Sequence, residues 1–334
     1  MQIEPPYALF LGDAPDQLAA KTADGIAAWR PDWCLGQIRL PDCKADLKIA
    51  ELTVEEAAAK GAKTLIVGVV NRGGIIGGAW LATILKAMDL GMDVAAGLHQ
   101  RLADVPEIAA HAKKLGRKIF DVRHPPQHFA VASGKPRSGH RLLAVGTDCS
   151  VGKMYTALAL EKEMLARGMK ADFRATGQTG IFIAGGGVSV DAVVADFISG
   201  AVEWLTPANE ADHWDVVEGQ GSLFHASYAG VSLGLLHGAQ PDALVLCHDP
   251  VRDHMRGLPD YRPPNIKPCM EMNLACARVV NPRAQFVGIC LNTSAMAADA
   301  AAVLKADLAK TFGLPCVDPL KDGVGAVVDR LAVL

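Results

Sequence analysis

An apolar run, a glycine-bearing turn and a helix-forming segment follow one another in the middle of the chain, and together they constrain the fold strongly. Residues 142–145 are apolar, Gly146 opens the turn, and Gly152 and Lys153 close it. Residues 157–164 read ALALEKEM, a sequence of good helix formers. In such a strand, turn and helix, backbone N–H groups converge on an anion and the lysine adds a full positive charge. The pattern predicts a phosphate-binding P-loop.

The predicted P-loop departs from the common form at two points. Five residues rather than four separate Gly146 from Gly152, a spacing that resembles the P-loops of dethiobiotin synthetase-like proteins. Met154 follows the lysine, where the common motif has a Ser or Thr that ligates Mg²⁺, and a thioether binds Mg²⁺ poorly. We therefore predict a loop that holds phosphate without cleaving a nucleotide triphosphate. Its predicted ligand-binding residues are Gly146, Thr147, Asp148, Cys149, Ser150, Val151, Gly152, Lys153, Met154 and Tyr155.

Short apolar runs alternate with helical patterns on both sides of a turn-rich stretch at residues 125–140. The predicted strands are 7–12, 64–70, 92–97, 118–122, 141–145, 171–176, 215–217, 243–247 and 285–291, and the predicted helices include 79–90, 106–115 and 188–205. Alternating strands and helices imply parallel sheets covered on both faces. We predict two doubly wound α/β domains, a Rossmann-like domain at residues 1–135 and a P-loop NTPase-like domain at residues 136–334.

Composition limits the classes of partner. The 33 basic and 36 acidic side chains leave a net charge of −3, which gives no footprint for nucleic acid or an anionic membrane. The N-terminus lacks a secretory pattern, no apolar run approaches the ~20 residues that span a bilayer, and the eight cysteines form no CxxC pair. We expect free thiols, a cytoplasmic location, small-molecule substrates and a homo-oligomer, with no nucleic-acid or membrane partner.

Polar residues that follow predicted strands are the candidates for chemistry, because ligands of doubly wound sheets bind beyond the carboxyl ends of the strands. Glu218 follows the strand at 215–217 and can act as a general base or position a water; a purely structural carboxylate is the alternative. His225 is a weaker candidate for the same role, since a lone histidine is more often structural.

Three further strand ends carry candidate substrate-binding residues. Gln178 lies in the segment TGQTG at 176–180, which is either a ligand loop or a simple turn. Arg252 and Arg256 lie in a cluster at 248–257, and Arg72 lies in the segment NRGG at 71–74. Guanidinium groups bind carboxylates and phosphates, although a solvated loop with internal ion pairs is an equal alternative for the cluster. His248 and Asp249 lack a third residue at metal-ligand spacing, so no metal site is predicted.

The segments 146–154, 176–180, 217–221 and 248–257 occur together, in this order, in one bacterial family. The chain resembles the D-glutamate N-acetyltransferase family, which was long known only as a domain of unknown function. The resemblance extends over nearly the full length, and Met154 matches the family pattern. It implies a Rossmann-like N-terminal part and a P-loop C-terminal part.

The resemblance also implies transfer of an acetyl group from acetyl-CoA to D-glutamate or a related D-amino acid. Acetyl-CoA is then a co-substrate whose phosphates the P-loop binds, and no permanently bound cofactor is expected. The substrate amine must lose a proton before it attacks the thioester. Glu218, with His225 as its rival, is the predicted base, and Arg72, Arg252 and Arg256 are the predicted carboxylate-binding residues.

Other readings remain open from the sequence. Cys149 could form an acetyl-cysteine intermediate, although phosphate in the loop would leave its side chain little freedom. An ATP-dependent ligase or carboxylase would need Asp148 or Thr156 to replace the missing Mg²⁺ ligand. A nucleotide-binding regulator without turnover is the third alternative.

Overall fold

The structure is a computed structural model that describes residues 2–69, 76–125 and 127–331. Its helices and strands are β1 (Tyr7–Gly12), α1 (Lys21–Trp29), β2 (Cys34–Arg39), α2 (Val54–Ala59), β3 (Thr64–Val67), α3 (Gly78–Asp89), β4 (Asp93–Ala96), α4 (Pro106–Leu115), β5 (Ile119–Asp121), β6 (His140–Gly146), α5 (Lys153–Ala166), β7 (Ala171–Arg174), α6 (Gln178–Ala184), α7 (Ile198–Leu205), β8 (Trp214–Val217), α8 (Ala229–Ala239), β9 (Ala243–His248), α9 (Ile266–Val280), β10 (Gln285–Leu291), α10 (Ala298–Phe312), β11 (Cys316–Val317) and α11 (Gly325–Leu331).

The chain forms two compact units. The first comprises Met1–Gln127 and Gly177–Ala192, and the second comprises His128–Thr176 and Val193–Leu334. Helix α6 therefore belongs to the first unit, although it follows β7 of the second unit in the chain.

The first unit contains a five-stranded parallel sheet in the order β2-β1-β3-β4-β5. Every residue of β1 and β3 is buried, as expected for parallel strands that are covered on both faces. Strand β2 lies at the edge of the sheet and was missed by the sequence analysis, because the polar Gln37 and Arg39 interrupt its apolar run.

The second unit contains a six-stranded parallel sheet in the order β11-β10-β9-β6-β8-β7. Strand β6 leads into the P-loop and lies between β9 and β8, so the residues that follow these three strands are neighbours. The two parallel sheets confirm the predicted α/β fold class. Strand β11 has only two residues and gave no pattern in the sequence.

The predicted helix at 188–205 is wrong in its first half. The α-helix begins only at Ile198, and two short 3₁₀ turns, Val190–Ala192 and Ala195–Phe197, precede it. Valines 188, 190, 193 and 194 are β-branched and lower helix propensity, and the Ser189 hydroxyl donates to the Asp191 carboxylate, which competes with helical hydrogen bonding. The apparent apolar stripe is also not buried throughout, since Val194 is 67% exposed.

All eight cysteines are free thiols, which confirms that prediction. Among the helices that the structure describes, none is both long and apolar enough to span a bilayer.

Candidate active site

The loop after β6 has the backbone of an anion site. Ser150 and Gly152 have positive φ angles of 53° and 98°, which turn the chain sharply before α5 begins at Lys153. The side chain of Val151 is buried and fixes the loop to the unit. Within the described ranges, the N–H groups of Ser150, Val151 and Gly152 have no hydrogen-bond acceptor. Consecutive unpaired N–H groups at a helix N-terminus are the donors that a phosphate requires.

Lys153 provides the charge of this loop. Its side chain is only 6% exposed, and Nζ donates to the carbonyl oxygen of Asp148 at 2.7 Å. Burial lowers the pKa of the Lys153 ammonium, while the nearby Asp148 and Glu218 act in the opposite direction. The ammonium is thus held inside the loop and faces two acidic groups.

Asp148 ties the loop to the segment that follows β9. Its carboxylate is fully buried, and Oδ1 accepts the N–H of Cys149 at 2.6 Å. Oδ2 accepts from Nη1 of Arg252 and from the backbone N–H of Arg256, both at 2.8 Å. Both carboxylate oxygens are therefore engaged by protein donors, and Asp148 is a support of the loop.

The two predicted arginines of this segment have different surroundings. Arg252 donates through Nη1 to the Cys149 carbonyl at 2.6 Å and through Nη2 to the Ser150 carbonyl at 3.1 Å. The structure therefore places its guanidinium against the outside of the P-loop. Arg256 is exposed, and its guanidinium has no ion-pair partner in the part of the chain that the structure describes. Arg256 is the member of the pair that is available to bind an anionic ligand.

Glu218 follows β8 and lies beside the loop. It is 5% exposed, its Oε2 accepts the N–H of Thr176 at 3.0 Å, and its carbonyl oxygen accepts the Thr176 hydroxyl at 2.6 Å. A Cβ on the next residue, Gly219, would overlap the carbonyl oxygen of Ala144 in β6 and lie 3.1 Å from Cδ of Lys153. Only glycine permits this close approach, which brings the end of β8 against the lysine.

His225 is held at both ring nitrogens. It is 1% exposed, Nδ1 accepts the N–H of Ser227 at 3.2 Å, and Nε2 donates to the carbonyl oxygen of Arg256 at 3.0 Å. Its ring also packs on Tyr228, with 4.6 Å between the ring centroids. These partners assign the proton to Nε2 and leave no lone pair for a substrate, so the contacts of His225 are those of a structural residue that positions Arg256.

Cys149 lies close to Asp148 and His225. Ligand atoms of Asp148, Cys149 and His225 lie within 4.8 Å of one another, a spacing that a metal ion or a Cys–His pair could use. The hydrogen bonds of the carboxylate and the imidazole occupy those atoms. Burial raises the pKa of the Cys149 thiol despite the positive charges of Lys153 and the arginines, so the protonated thiol predominates at neutral pH.

The alternative Mg²⁺ ligand suggested by the sequence, Thr156, is also engaged. Its side chain is buried in α5, and its hydroxyl accepts the Cys247 thiol at 3.3 Å. With Asp148 held by Arg252 and a thioether at Met154, the loop offers no free oxygen ligand at the positions considered.

Two further residues complete the loop: His248, which the sequence analysis considered only as a metal ligand, and Ser222, which it missed. His248, at the end of β9, is hydrogen bonded through Nδ1 to the Thr147 hydroxyl at 2.9 Å, and the Ser222 hydroxyl donates to the Thr147 carbonyl at 3.1 Å. Burial, aided by the charge of Arg252, lowers the pKa of His248 and favours the neutral imidazole. His248 ends β9 and Ser222 comes after β8, and both strands adjoin β6 in the sheet. Their place beside the loop could therefore be predicted only from the strand order.

Gln178 and Arg72 are the two remaining predicted substrate residues. Gln178 begins α6 in the first unit, where its side chain lies against Gly97 after β4. The predicted ligand loop at 176–180 is thus largely the first turn of a helix. Arg72 lies outside the described residues.

The chain is similar to known proteins over nearly its full length. A family model described as the P-loop domain of DUF1611, a domain of unknown function, matches residues 130–328, and the Rossmann-like N-terminal model of the same family matches residues 37–125. Two curated proteins, each named D-glutamate N-acetyltransferase, are similar over 99% of this chain and 100% of their own length: one from Tritonibacter scottomollicae at 54% identity and one from a Pseudoalteromonas species at 49%. A crystal structure of a DUF1611 family protein from Anabaena variabilis matches with a TM-score of 0.86 at 30% identity, covering 99% of this chain and 100% of that one.

Proposed function

Because this chain belongs to the DUF1611 family, we propose that it transfers the acetyl group of acetyl-CoA to the amine of D-glutamate or a related D-amino acid, giving N-acetyl-D-glutamate. The family membership confirms the resemblance seen in the sequence, and it makes the chain an acyltransferase enzyme with an N-acetyltransferase role. The acetyl donor, the amino acid and the residue roles are the content of the proposal.

The observation that carries the proposal is a P-loop with free N–H donors in which residues 148, 154 and 156, the positions considered for a Mg²⁺ ligand, offer no free oxygen. The N–H groups of Ser150 to Gly152 and the ammonium of Lys153 are suited to the pyrophosphate of coenzyme A. Asp148 and Thr156 are both engaged by protein groups. A loop of this kind is suited to anchor a phosphorylated acyl carrier, since such a carrier needs no metal-assisted cleavage of its phosphates.

In the proposed reaction the deprotonated amine attacks the thioester carbonyl directly. Glu218 is the proposed base, because it is a buried carboxylate beside Lys153 and its main chain is fixed by Thr176 and by the contact of Gly219 with β6. It takes one proton from the ammonium of the amino acid before the amine attacks, and the nitrogen loses a second proton to solvent after the C–N bond has formed. The C–S bond then breaks, and the thiolate of coenzyme A needs little acid help because its pKa is near ~8.5 by analogy with cysteine.

Binding of the amino acid requires a cation for its carboxylates. Arg256 is the proposed carboxylate-binding residue, because its guanidinium is exposed while His225 and Asp148 hold its backbone. Arg252 has the role of supporting the P-loop in this proposal, since its donors contact two loop carbonyls. Arg72 and Gln178 stay candidates for the amino-acid side of the reaction on sequence grounds alone.

The test is an assay of the purified protein with acetyl-CoA and a panel of D- and L-amino acids. Thiol release measures acetyl transfer, and mass spectrometry identifies the product. We expect thiol release with D-glutamate and a product heavier by one acetyl group. Release of ADP from Mg·ATP in the presence of substrate would instead indicate a ligase, and tight binding of either nucleotide without any product would indicate a regulator.

A further inference from the structure

A cavity of the second unit adjoins His248 and Arg252, the residues that support the P-loop. It is a cleft of about 990 Å³ between the segment 248–267 and the C-terminal part of α10. This volume is at the upper end of the range typical of small-molecule sites, about 300–1,000 Å³. The cleft is large enough for a nucleoside phosphate.

Apolar, basic and acidic side chains line the cleft, the acidic ones being Asp253 and Asp260. Pro263, Pro264 and Phe312 contribute apolar surface, which suits a planar base. Arg262 and Lys267 contribute positive charge. Arg262 has no ion-pair partner among the residues that the structure describes, and the nearest carboxylate oxygen to Nζ of Lys267, that of Glu271, is 3.9 Å away. Among the described residues Arg262 forms no ion pair, so its guanidinium is available to a phosphate group.

Two residues connect the cleft to the phosphate loop. Arg252 lines the cleft and donates to the carbonyl oxygens of Cys149 and Ser150, and His248 lines it and bonds to the Thr147 hydroxyl. A ligand with a pyrophosphate in the P-loop can therefore extend along Arg252 into the cleft. Its other end then meets the side chains around Arg262.

We propose that this cleft binds the adenosine 3′-phosphate end of coenzyme A, with Arg262 contacting the 3′-phosphate. The inference rests on the proposed use of acetyl-CoA and adds the subsite that distinguishes this donor from a dephosphorylated one. The planar guanidinium pairs with two phosphate oxygens, and the proline and phenylalanine surfaces contact the adenine. The P-loop and the cleft then hold the two phosphate-bearing parts of one molecule.

The test compares acetyl-CoA with acetyl-dephospho-CoA, which lacks only the 3′-phosphate, in steady-state assays with D-glutamate. For the wild-type protein we expect kcat/KM to be at least about 10-fold lower with the dephosphorylated donor, as is usual for loss of a charged hydrogen-bonded pair. Arg262→Ala is expected to raise the KM for acetyl-CoA by a similar factor, to leave kcat unchanged, and to leave kcat/KM for acetyl-dephospho-CoA unchanged. Arg283→Ala, at an arginine whose side chain is 87% exposed and does not line the cleft, is the matched control and should behave as wild type.

The outcomes separate the inference from the proposed function. Equal use of the two donors by the wild-type protein, or an equal effect of Arg262→Ala on both, overturns the cleft assignment and leaves acetyl transfer standing. Thiol release from neither donor overturns the proposed function and the subsite with it. As a second measurement, adenosine 3′,5′-bisphosphate should compete with acetyl-CoA more strongly than adenosine 5′-monophosphate does, and Arg262→Ala should abolish this difference.

Discussion

The two units place a glycine at the end of a buried parallel strand, and the surroundings of that glycine differ. In the first unit β1 ends at Gly12, where a Cβ would lie 2.5 Å from the indole ring of Trp80. The indole Nε1 donates to Asp13 Oδ1 at 2.8 Å, so the turn after β1 is filled by a side chain. In the second unit β6 ends at Gly146, and the N–H groups of Ser150 to Gly152 have no acceptor within the described ranges.

We infer from this difference that a turn between strand and helix is suited to bind an anion when no side chain fills it. Trp80 gives the first unit a packed turn with a paired carboxylate. In the second unit Asp148, Arg252 and His248 instead form hydrogen bonds that support the loop. The N–H groups of the loop and the Lys153 ammonium are then available to a ligand. We predict that the residues around the turn after β6 take part in catalysis and that those around the turn after β1 do not.

The largest effect is expected at Glu218, the carboxylate beside the P-loop. Glu218→Gln keeps the shape of the side chain and removes the proposed base, so kcat for acetyl transfer should fall about 10²–10⁴-fold. Asp13→Asn in the first unit is the matched control and should leave kcat near the wild-type value, because Asp13 pairs with Trp80. Steady-state rates across pH measure both. A Glu218→Gln variant with wild-type kcat at every pH would refute the assignment.

The second-largest effect is expected at Lys153, the lysine of the P-loop. Lys153→Ala should raise the KM for acetyl-CoA and lower kcat/KM by about 10–100-fold, since a charged hydrogen bond to phosphate contributes about 1.5–3 kcal/mol. The protein should still fold, because burial already lowers the pKa of this ammonium and the Asp148 carboxylate keeps its donors from Arg252 and the Arg256 backbone. Donor titrations together with thermal unfolding check both statements. An unchanged KM would mean that the phosphates bind elsewhere.

A smaller effect is expected on stability, from His248 behind the loop. Burial lowers the folded-state pKa of His248 below its usual ~6.5. Between the two pKa values the unfolded chain binds a proton that the folded chain does not, so this contribution to stability is present above about pH 6.5 and is lost as the pH falls through that window. His248→Gln should therefore show a shallower loss of stability from pH 7.5 to 5.5. Urea unfolding at each pH measures it, and equal slopes for the two proteins would contradict the expectation.

The smallest effect is expected at Cys149, within the loop itself. Because burial raises the pKa of its thiol and the neighbouring His225 is hydrogen bonded at both ring nitrogens, direct transfer predicts that Cys149→Ala changes kcat by less than about threefold. Ser150→Ala, next to it in the loop, is a control for removal of a loop side chain. An acetylated Cys149 trapped with acetyl-CoA and found by mass spectrometry, together with loss of activity in Cys149→Ala, would establish the covalent route instead.

Much of the fold could be predicted because local patterns and tertiary structure agree. Strands β1 and β10 have the predicted bounds, and α4 begins at Pro106 and ends before Gly116. The prediction failed at residues 188–197, where an apolar periodicity matched a helix while β-branched residues and the Ser189–Asp191 hydrogen bond favoured turns. Edge strand β2 was not predicted, because its polar residues interrupt the apolar pattern that identifies a strand.

The sequence by itself determined that this chain has two α/β parts, a phosphate loop at Gly146 to Lys153 and no Mg²⁺-ligating hydroxyl after the lysine, since these depend on residues adjacent in the chain. Only the tertiary structure decided which polar neighbours are available to a ligand. Strand order brings the ends of β8 and β9 to both sides of β6, and there Arg252 and His225 form hydrogen bonds that no spacing reveals. Availability depends on contacts between residues 31 to 103 positions apart, because a buried polar group must find its partner wherever the folded chain provides one.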